Sequence, residues 1–203
     1  MKSAQHPAKP QPLVIDELRP LSFIFEVPDS LPRDVCREMI GRFETRKDQQ
    51  YEGLIGQRQW KARSIKKSTD LTLSDKPDWK DIDAILFASL ARAMGVFRQR
   101  YSYFRGRFKD MGYVMQRTLP GEYYHWHIDG GSHEFSQRQL VAIWYLNDVP
   151  GPGGETQFLY QDISVTPKEG NLLLFPPFWT HEHRGMTLER GVKYIATTWV
   201  VFA

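Results

Sequence analysis

Gln139-Leu140-Val141-Ala142-Ile143-Trp144-Tyr145-Leu146 is the stretch whose reading decides the fold class. It is short, unbroken by polar residues after Gln139, and rich in β-branched and aromatic side chains, the pattern of a strand. Its apolar part is far shorter than the ~20 residues that a membrane span needs. Segments of the same character lie on either side: Tyr113 to Thr118, Thr156 to Tyr160, Asn171 to Phe175 and Val192 to Phe202. Turn-formers such as Pro120-Gly121 and Pro150-Gly151-Pro152-Gly153-Gly154 separate them. Upstream the period changes. Leu31, Val35, Met39, Ile40 and Phe43 recur at helical spacing behind Ser30 and Pro32, which predicts a helix over residues 31–47 capped by Ser30. A longer helix is expected from about Asp78 to Arg105, on the stripe Trp79, Ile82, Leu86, Leu90, Ala93, Phe97, Tyr101 and Phe104, with Gly106 as its stop. Leu21 to Val27 reads as a strand. Two helices followed by many short strands predict an α+β chain whose C-terminal half is a β-sandwich or double-sheet jelly roll.

The composition agrees with a globular chain: of 203 residues, 41% are hydrophobic and 25% charged. Aromatic residues reach 13%, which suits a β-rich body or a lined pocket. A net charge of +3 is too slight to imply a nucleic-acid footprint. Six histidines against a single cysteine mean that any metal site is built from imidazole and carboxylate, since Cys36 alone forms neither a zinc ribbon nor an internal disulfide. Residues 1–12 hold three prolines and no apolar h-region, reading as a flexible tail without a signal peptide. The expectation is a soluble, cytoplasmic protein with residues 13–203 as a single domain. Leu54 to Thr69 carries Arg58, Lys61, Arg63, Lys66 and Lys67 with no acid, either a solvated face or a substrate-facing loop.

Chemistry is concentrated in Tyr123-Tyr124-His125-Trp126-His127-Ile128-Asp129-Gly130-Gly131. In an extended chain the side chains of i and i+2 point the same way, so His127 and Asp129 can converge on one ion while Ile128 turns into the sheet. A lone His-x-Asp arises often by chance. Farther on, Phe175-Pro176-Pro177-Phe178-Trp179-Thr180-His181-Glu182-His183-Arg184-Gly185 supplies further imidazoles. Two histidines and a carboxylate make the facial triad of non-haem Fe(II) oxygenases, while zinc takes the same ligand types in hydrolases. Lys193 separates the two readings. It shares a strand face with Ile195, Thr197 and Trp199, and an ammonium among such side chains is costly unless an anion meets it. The distal carboxylate of 2-oxoglutarate is such an anion; a hydrolytic zinc site has no need of one.

Leu119 to Phe202 resembles the catalytic core of the Fe(II)- and 2-oxoglutarate-dependent dioxygenases, in particular their prolyl 4-hydroxylase-like branch. The matching elements are Pro120-Gly121-Glu122-Tyr123-Tyr124 before His127-Ile128-Asp129, Arg138 before Ile143-Trp144-Tyr145-Leu146-Asn147-Asp148, and Gly153-Gly154-Glu155-Thr156-Gln157-Phe158. Val165 to Phe175, and His183 through Lys193 to Trp199, complete the set. The resemblance implies a double-stranded β-helix (jelly-roll) core over about 112–203, supported by helices over 30–106. It implies His127, Asp129 and His183 as iron ligands, Lys193 as partner of the 2-oxoglutarate C5 carboxylate, Tyr145 as a hydrogen-bond partner of that co-substrate, and Trp199 lining the pocket. Arg138 is expected to contact substrate at the cavity mouth, and Tyr124 sits where relatives line the active site. Relatives place a 2-oxoglutarate-binding tyrosine where this chain has Arg117 and Thr118, so Thr118 is left to supply the hydroxyl.

His181 competes with His183 by parity; the spacing from His183 to Lys193 and the Thr-His-x-His-Arg-Gly context match the family. His125 reads as a rim residue, His133 and His6 as surface, Cys36 as core, and Gly153-Gly154 as a turn, not a phosphate loop. The activity implied is hydroxylation of a prolyl residue in a peptide or protein, with Fe(II), 2-oxoglutarate and dioxygen consumed as cofactor and co-substrates, succinate and CO2 released, and ascorbate among the candidate cofactors. Residues 52–68 are a candidate lid whose charge favours an acidic target. The alternatives are a hydroxylase of free proline or another small molecule, and a non-catalytic metal-binding jelly roll. A nucleobase demethylase is discounted, because only Arg184 and Arg190 stand near the distal histidine.

Overall fold

A computed structural model describes residues 13–55 and 62–203. The tail, His6, Arg58 and Lys61 lie outside the described residues. Along the chain run β1 (Asp16–Glu17), β2 (Phe25–Val27), α1 (Arg33–Thr45), β3 (Tyr51–Glu52), β4 (Lys66–Lys67), β5 (Thr69–Thr72), α2 (Lys80–Arg100), β6 (Phe108–Asp110), β7 (Val114–Thr118) and β8 (Tyr123–His127). β9 (Arg138–Tyr145), β10 (Thr156–Phe158), β11 (Ile163–Val165), β12 (Leu172–Phe175), β13 (His183–Gly185) and β14 (Lys193–Phe202) follow. They form two antiparallel sheets, one in the order β1-β2-β12-β9-β14-β7-β5-β3 with β6 added to β14, the other in the order β11-β10-β13-β8-β4. This is a jelly roll with two helices laid against its larger sheet. No helix among the described residues is long and apolar enough to cross a membrane.

β9 shows why the opening stretch decides the fold. Every residue from Arg138 to Tyr145 is buried, and the period of two divides the strand between two cores. Leu140, Ala142 and Trp144 pack with Ile82, Leu86, Leu90 and Phe97 of α2 and with Cys36, Met39 and Phe43 of α1. Val141, Ile143 and Tyr145 face the other way, onto Phe158, Leu173, Phe175 and Ile195 between the sheets. The helices are recruited by their apolar stripes, and α2 complements its own dipole with Asp81 and Asp83 in the first turn and Arg98 and Arg100 in the last.

Local signals were overruled at three places. Ser30 does not cap α1: the cap position is Pro32 in an extended conformation. The Ser30 hydroxyl is buried against Ser89 Oγ at 2.6 Å, in a cluster that also takes Trp144 Nε1. α2 ends at Arg100, not Arg105, because Tyr101 turns extended and packs on Phe97 and Phe25 with ring centroids 5.6 and 6.0 Å apart. The expected strand Leu21–Val27 shortens to Phe25–Val27, since Leu21 and Phe23 sit at positive φ. Gly153 stands in the turn before β10 at φ +84°, where a Cβ would lie 2.2 Å from the Thr187 carbonyl, so its role is conformational.

Candidate active site

β8 and β13 are neighbours in the smaller sheet, and His127 lies directly opposite His183 across their ladder. Residues so paired place their side chains on one face. Asp129 follows just beyond β8, and the next amide, Gly130 N–H, donates to the Pro177 carbonyl at 2.7 Å, tying this loop to the segment that leads into β13. The ligand atoms of His127, Asp129 and His183 consequently lie within 4.8 Å of one another. Asp129 Oδ2 is 3.3 Å from His183 Nε2.

Both imidazoles are oriented by the same device. Nδ1 of His127 is 2.8 Å from the carbonyl of His125, and Nδ1 of His183 is 3.0 Å from the carbonyl of His181. A carbonyl only accepts, so each Nδ1 carries the proton and each Nε2 presents a lone pair towards Asp129. Burial pushes His127 down to about 3, helped by His183 and opposed by Asp129; burial lowers His183 likewise. Two neutral imidazoles and a carboxylate that converge without a proton between them suit a divalent cation, and the second partners of the imidazoles are those that tune metal-bound histidines. His181, two residues away, is differently used: its Nε2 meets the Ser22 carbonyl at 2.9 Å and its Nδ1 meets Thr180 Oγ1 at 2.9 Å, so neither nitrogen is left for a ligand. His125 and His133 are exposed.

The triad opens into a cavity of about 560 Å³ between the sheets, a size suited to a small organic ligand. On the wall from the larger sheet, Lys193 is 6% exposed and donates to the Gly154 carbonyl at 2.6 Å. Desolvation pushes its ammonium down to about 8, with Glu155 opposing the shift, and no carboxylate among the described residues lies within ion-pair distance of it. Thr156, Ile195, Thr197 and Trp199 share this wall, and the Trp199 indole N–H is buried without a partner. Tyr145 and Thr118 do not reach the cavity surface. The Tyr145 hydroxyl donates to Thr156 Oγ1 at 2.8 Å, leaving the Thr156 hydroxyl proton free to point inward, while Gln116 stands on the wall with its amide 3.5 Å from Thr118 Oγ1. Thr156 stands within the Gly153–Phe158 element but carries no signal of a role there, and Gln116 is marked only by sharing parity with Thr118 on β7.

The opposite lip comes from β8, β4 and the loops beside them. Tyr124 stacks on His127 with centroids 3.6 Å apart and planes 10° from parallel, and Lys66 Nζ lies 5.3 Å from the Tyr124 ring. Lys66 is itself buried and paired with Asp70 at 2.6 Å, so this member of the basic run faces the cavity instead of solvent. Leu54, Ile55 and Ile65 give that lip an apolar lining. At the mouth, the Arg138 guanidinium is held between the rings of Phe135 and Trp199 at 3.9 and 3.7 Å and donates from Nη1 to the Asp129 main-chain carbonyl at 2.9 Å.

Residues 113–201 match the family model of the 2OG-Fe(II) oxygenase superfamily. The match spans the β-rich C-terminal part of the chain, from Tyr113 to Val201. No curated protein matches the chain by sequence. Among solved structures, the viral collagen prolyl hydroxylase of Paramecium Bursaria Chlorella virus-1, in complex with 2OG, is 19% identical with a TM-score of 0.63, over 89% of this chain and 97% of that one. A Trichoplax adhaerens prolyl hydroxylase in complex with a hypoxia inducible factor oxygen degradation domain peptide fragment is 15% identical with a TM-score of 0.71, over 89% and 84%. A Pseudomonas putida prolyl-4-hydroxylase is 20% identical with a TM-score of 0.67, over 89% and 93%. At these identities the likeness establishes the 2OG oxygenase jelly roll and leaves substrate choice to the site.

Proposed function

We propose that the protein hydroxylates a prolyl residue in a peptide or protein, consuming 2-oxoglutarate and dioxygen and releasing succinate and CO2, with ascorbate as an accessory and the cytoplasm as its setting. The observation that carries this reading is the convergence of His127, Asp129 and His183 within 4.8 Å at one end of a cavity whose wall holds Lys193, buried and without an ion-pair partner among the described residues. His127, Asp129 and His183 would hold Fe(II) through Nε2, a carboxylate oxygen and Nε2. When bound, Fe(II) supplies the activation of dioxygen that hydroxylation of an unactivated C–H bond requires, coupled to oxidative decarboxylation of 2-oxoglutarate.

The remaining residues bind and orient. Lys193 supplies the cation for the distal carboxylate of 2-oxoglutarate, and the Thr156 hydroxyl, set by Tyr145, offers a neutral donor on the same wall. Ile195, Val141 and Ile143 keep water from this end of the cavity. Tyr124, Trp199 and Arg138 line the approach for the substrate. Supporting the prolyl class, all three relatives described above are prolyl hydroxylases, one of them in complex with a peptide.

The reading is tested in two steps. Anaerobic titration of the metal-free protein with Fe(II) and then 2-oxoglutarate is expected to produce the weak visible charge-transfer band of a chelated 2-oxo acid. Peptide libraries incubated with the loaded enzyme are then expected to gain the mass of one oxygen atom on proline. A missing band together with tight zinc binding would overturn the oxygenase reading, and oxygen added only to free proline would overturn the peptide assignment.

A further inference from the structure

From residue 84 to residue 109 the chain has six basic residues, Arg92, Arg98, Arg100, Arg105, Arg107 and Lys109, and no acidic one. Arg100 is paired with Glu17 at 3.0 Å. Arg98, Arg105, Arg107 and Lys109 are exposed and have no carboxylate partner among the described residues. Arg105 turns its Nε to the Arg98 carbonyl instead. Asp110 follows directly, as the last residue of β6, and accepts from the Gly112 N–H at 2.9 Å, so the cations outnumber the acid beside them and their mutual repulsion does not serve the stability of the fold.

Aromatic rings lie among these cations. Tyr103 is 55% and Phe202 46% exposed. Phe108 stacks on Phe202 at 5.4 Å, and Tyr103 reaches both rings at 5.9 and 6.3 Å. The Tyr103 hydroxyl is fixed by donation to Gln139 Oε1 at 2.5 Å, so the rings form a rigid apolar step.

Strand register connects this surface to the cavity mouth. Val201 of β14 pairs with Lys109 on one side and with Arg138 on the other. Lys109 therefore stands two strands from Arg138, roughly 10 Å away at ordinary strand spacing, on the same end of the sheet. Lys109 shares the sheet face of Val201, while Phe108 and Phe202, one residue along each strand, turn to the helix face, so a polypeptide leaving the mouth past Arg138 and Trp199 meets Lys109 first and reaches the aromatic step around the outer edge of β6.

Resting on the hydroxylase reading above, we propose that Tyr103, Arg105, Arg107, Phe108, Lys109 and Phe202 form a docking surface outside the cavity for an acidic, aromatic- or leucine-bearing segment of the polypeptide substrate. A single-stranded nucleic acid fits less well, because stacking of bases needs open ring faces, and Phe108 and Phe202 cover each other. Contacts between exposed charges weaken as salt rises, so this docking is salt-sensitive and adds to the binding of the target residue without taking part in the reaction.

The test is a binding measurement that needs no turnover. A fluorescein-labelled, proline-free peptide of Glu, Asp, Leu and Phe is titrated with the protein and followed by anisotropy, beside the same peptide with Lys for each acid and a labelled oligouridylate. The acidic peptide is expected to bind and to weaken by about tenfold or more at roughly 0.3 M salt, while the basic peptide does not bind. R105E/R107E/K109E is expected to lose at least about tenfold in affinity for the acidic peptide, and F202S to weaken it with every charge in place. Turnover of a short proline peptide lacking the acidic segment stays unchanged in both variants. An acidic-peptide affinity unaffected by both variants, or tighter binding of the oligouridylate at the same salt, would overturn the proposal. Should the hydroxylase reading fail, short peptides stay unmodified while the anisotropy result stands on its own.

Discussion

His127 and His183 sit opposite one another across a single pair of antiparallel strands, their ring centroids 4.2 Å apart, and each is steered by the carbonyl two residues before it. Strand pairing thus brings together two imidazoles that are far apart in sequence. The arrangement needs no large loop to order around a metal. It also sets His127 and His183, the histidines proposed as ligands, apart from their neighbours, since His181 spends both nitrogens on Ser22 and Thr180.

That difference gives a clear mutational contrast. Replacing His127, Asp129 or His183 by Ala is expected to abolish tight binding of Fe(II) or Mn(II), read by competition with a chelating dye, and 2-oxoglutarate turnover with it. His181→Ala is expected to retain metal binding and to lose about 1–3 kcal/mol of stability in urea melts, because it strips buried partners of their hydrogen bonds. Loss of metal by His181→Ala with retention in His183→Ala would reassign the distal ligand.

The buried ammonium of Lys193 predicts a pH dependence with a definite sign. Desolvation lowers its folded value to about 8. A carboxylate bound beside it would raise that value. Between the two, binding takes up a proton, so the Kd for 2-oxoglutarate is expected to rise with pH above about 8, by up to tenfold per pH unit. Isothermal titration of the metal-loaded, oxygen-free protein in buffers of different ionisation enthalpy reads both the slope and the proton. Lys193→Met should bind weakly at every pH with no slope; an unchanged Kd in that variant removes Lys193 from the site.

Arg138 meets Asp129 twice, donating to its main-chain carbonyl at 2.9 Å and standing 3.9 Å from its carboxylate, while its flat guanidinium is stacked between Phe135 and Trp199. Arg138→Lys keeps the charge but neither the stacking nor the fork of donors. Both Arg138→Ala and Arg138→Lys are expected to weaken metal binding by about 10–100-fold, as loss of an outer-shell partner does. Full rescue by lysine would show that only the charge matters there.

Lys66 and Asp70 form an ion pair with side chains 8% and 5% exposed. Asp70→Ala strands a buried ammonium and is expected to cost about 3–5 kcal/mol. The double variant Lys66→Met/Asp70→Leu should recover most of that loss, which thermal and urea melts can follow. Equal destabilisation by the single and double variants would place the cost in packing instead of charge.

How much of this protein its sequence determines depends on whether the deciding interaction is local. The short β-branched and aromatic run from Leu140 to Leu146 marks a strand, and the i, i+2 spacing of His127 and Asp129 prescribes a shared side. Lys193 among Ile195, Thr197 and Trp199 already demands an anion, because the cost of burying an ammonium does not depend on fold details. Other features were settled by competition between distant partners. Ser30 is drawn from its cap by Ser89, sixty residues on in round terms. The Tyr145 hydroxyl is engaged by Thr156, which stands on the cavity wall, and Thr118, paired with Lys193, has Gln116 beside it on the same face. Lys66 leaves solvent because β4 pairs with β8 and puts it on the Tyr124 face. The spacing to Lys193 already favours His183 over His181, and the Ser22 carbonyl, reaching His181 from the far end of the chain, adds a partner that no local pattern announces. In each case a hydrogen bond or a strand register joins residues with no pattern in common, and such pairings exist only once the sheets have closed.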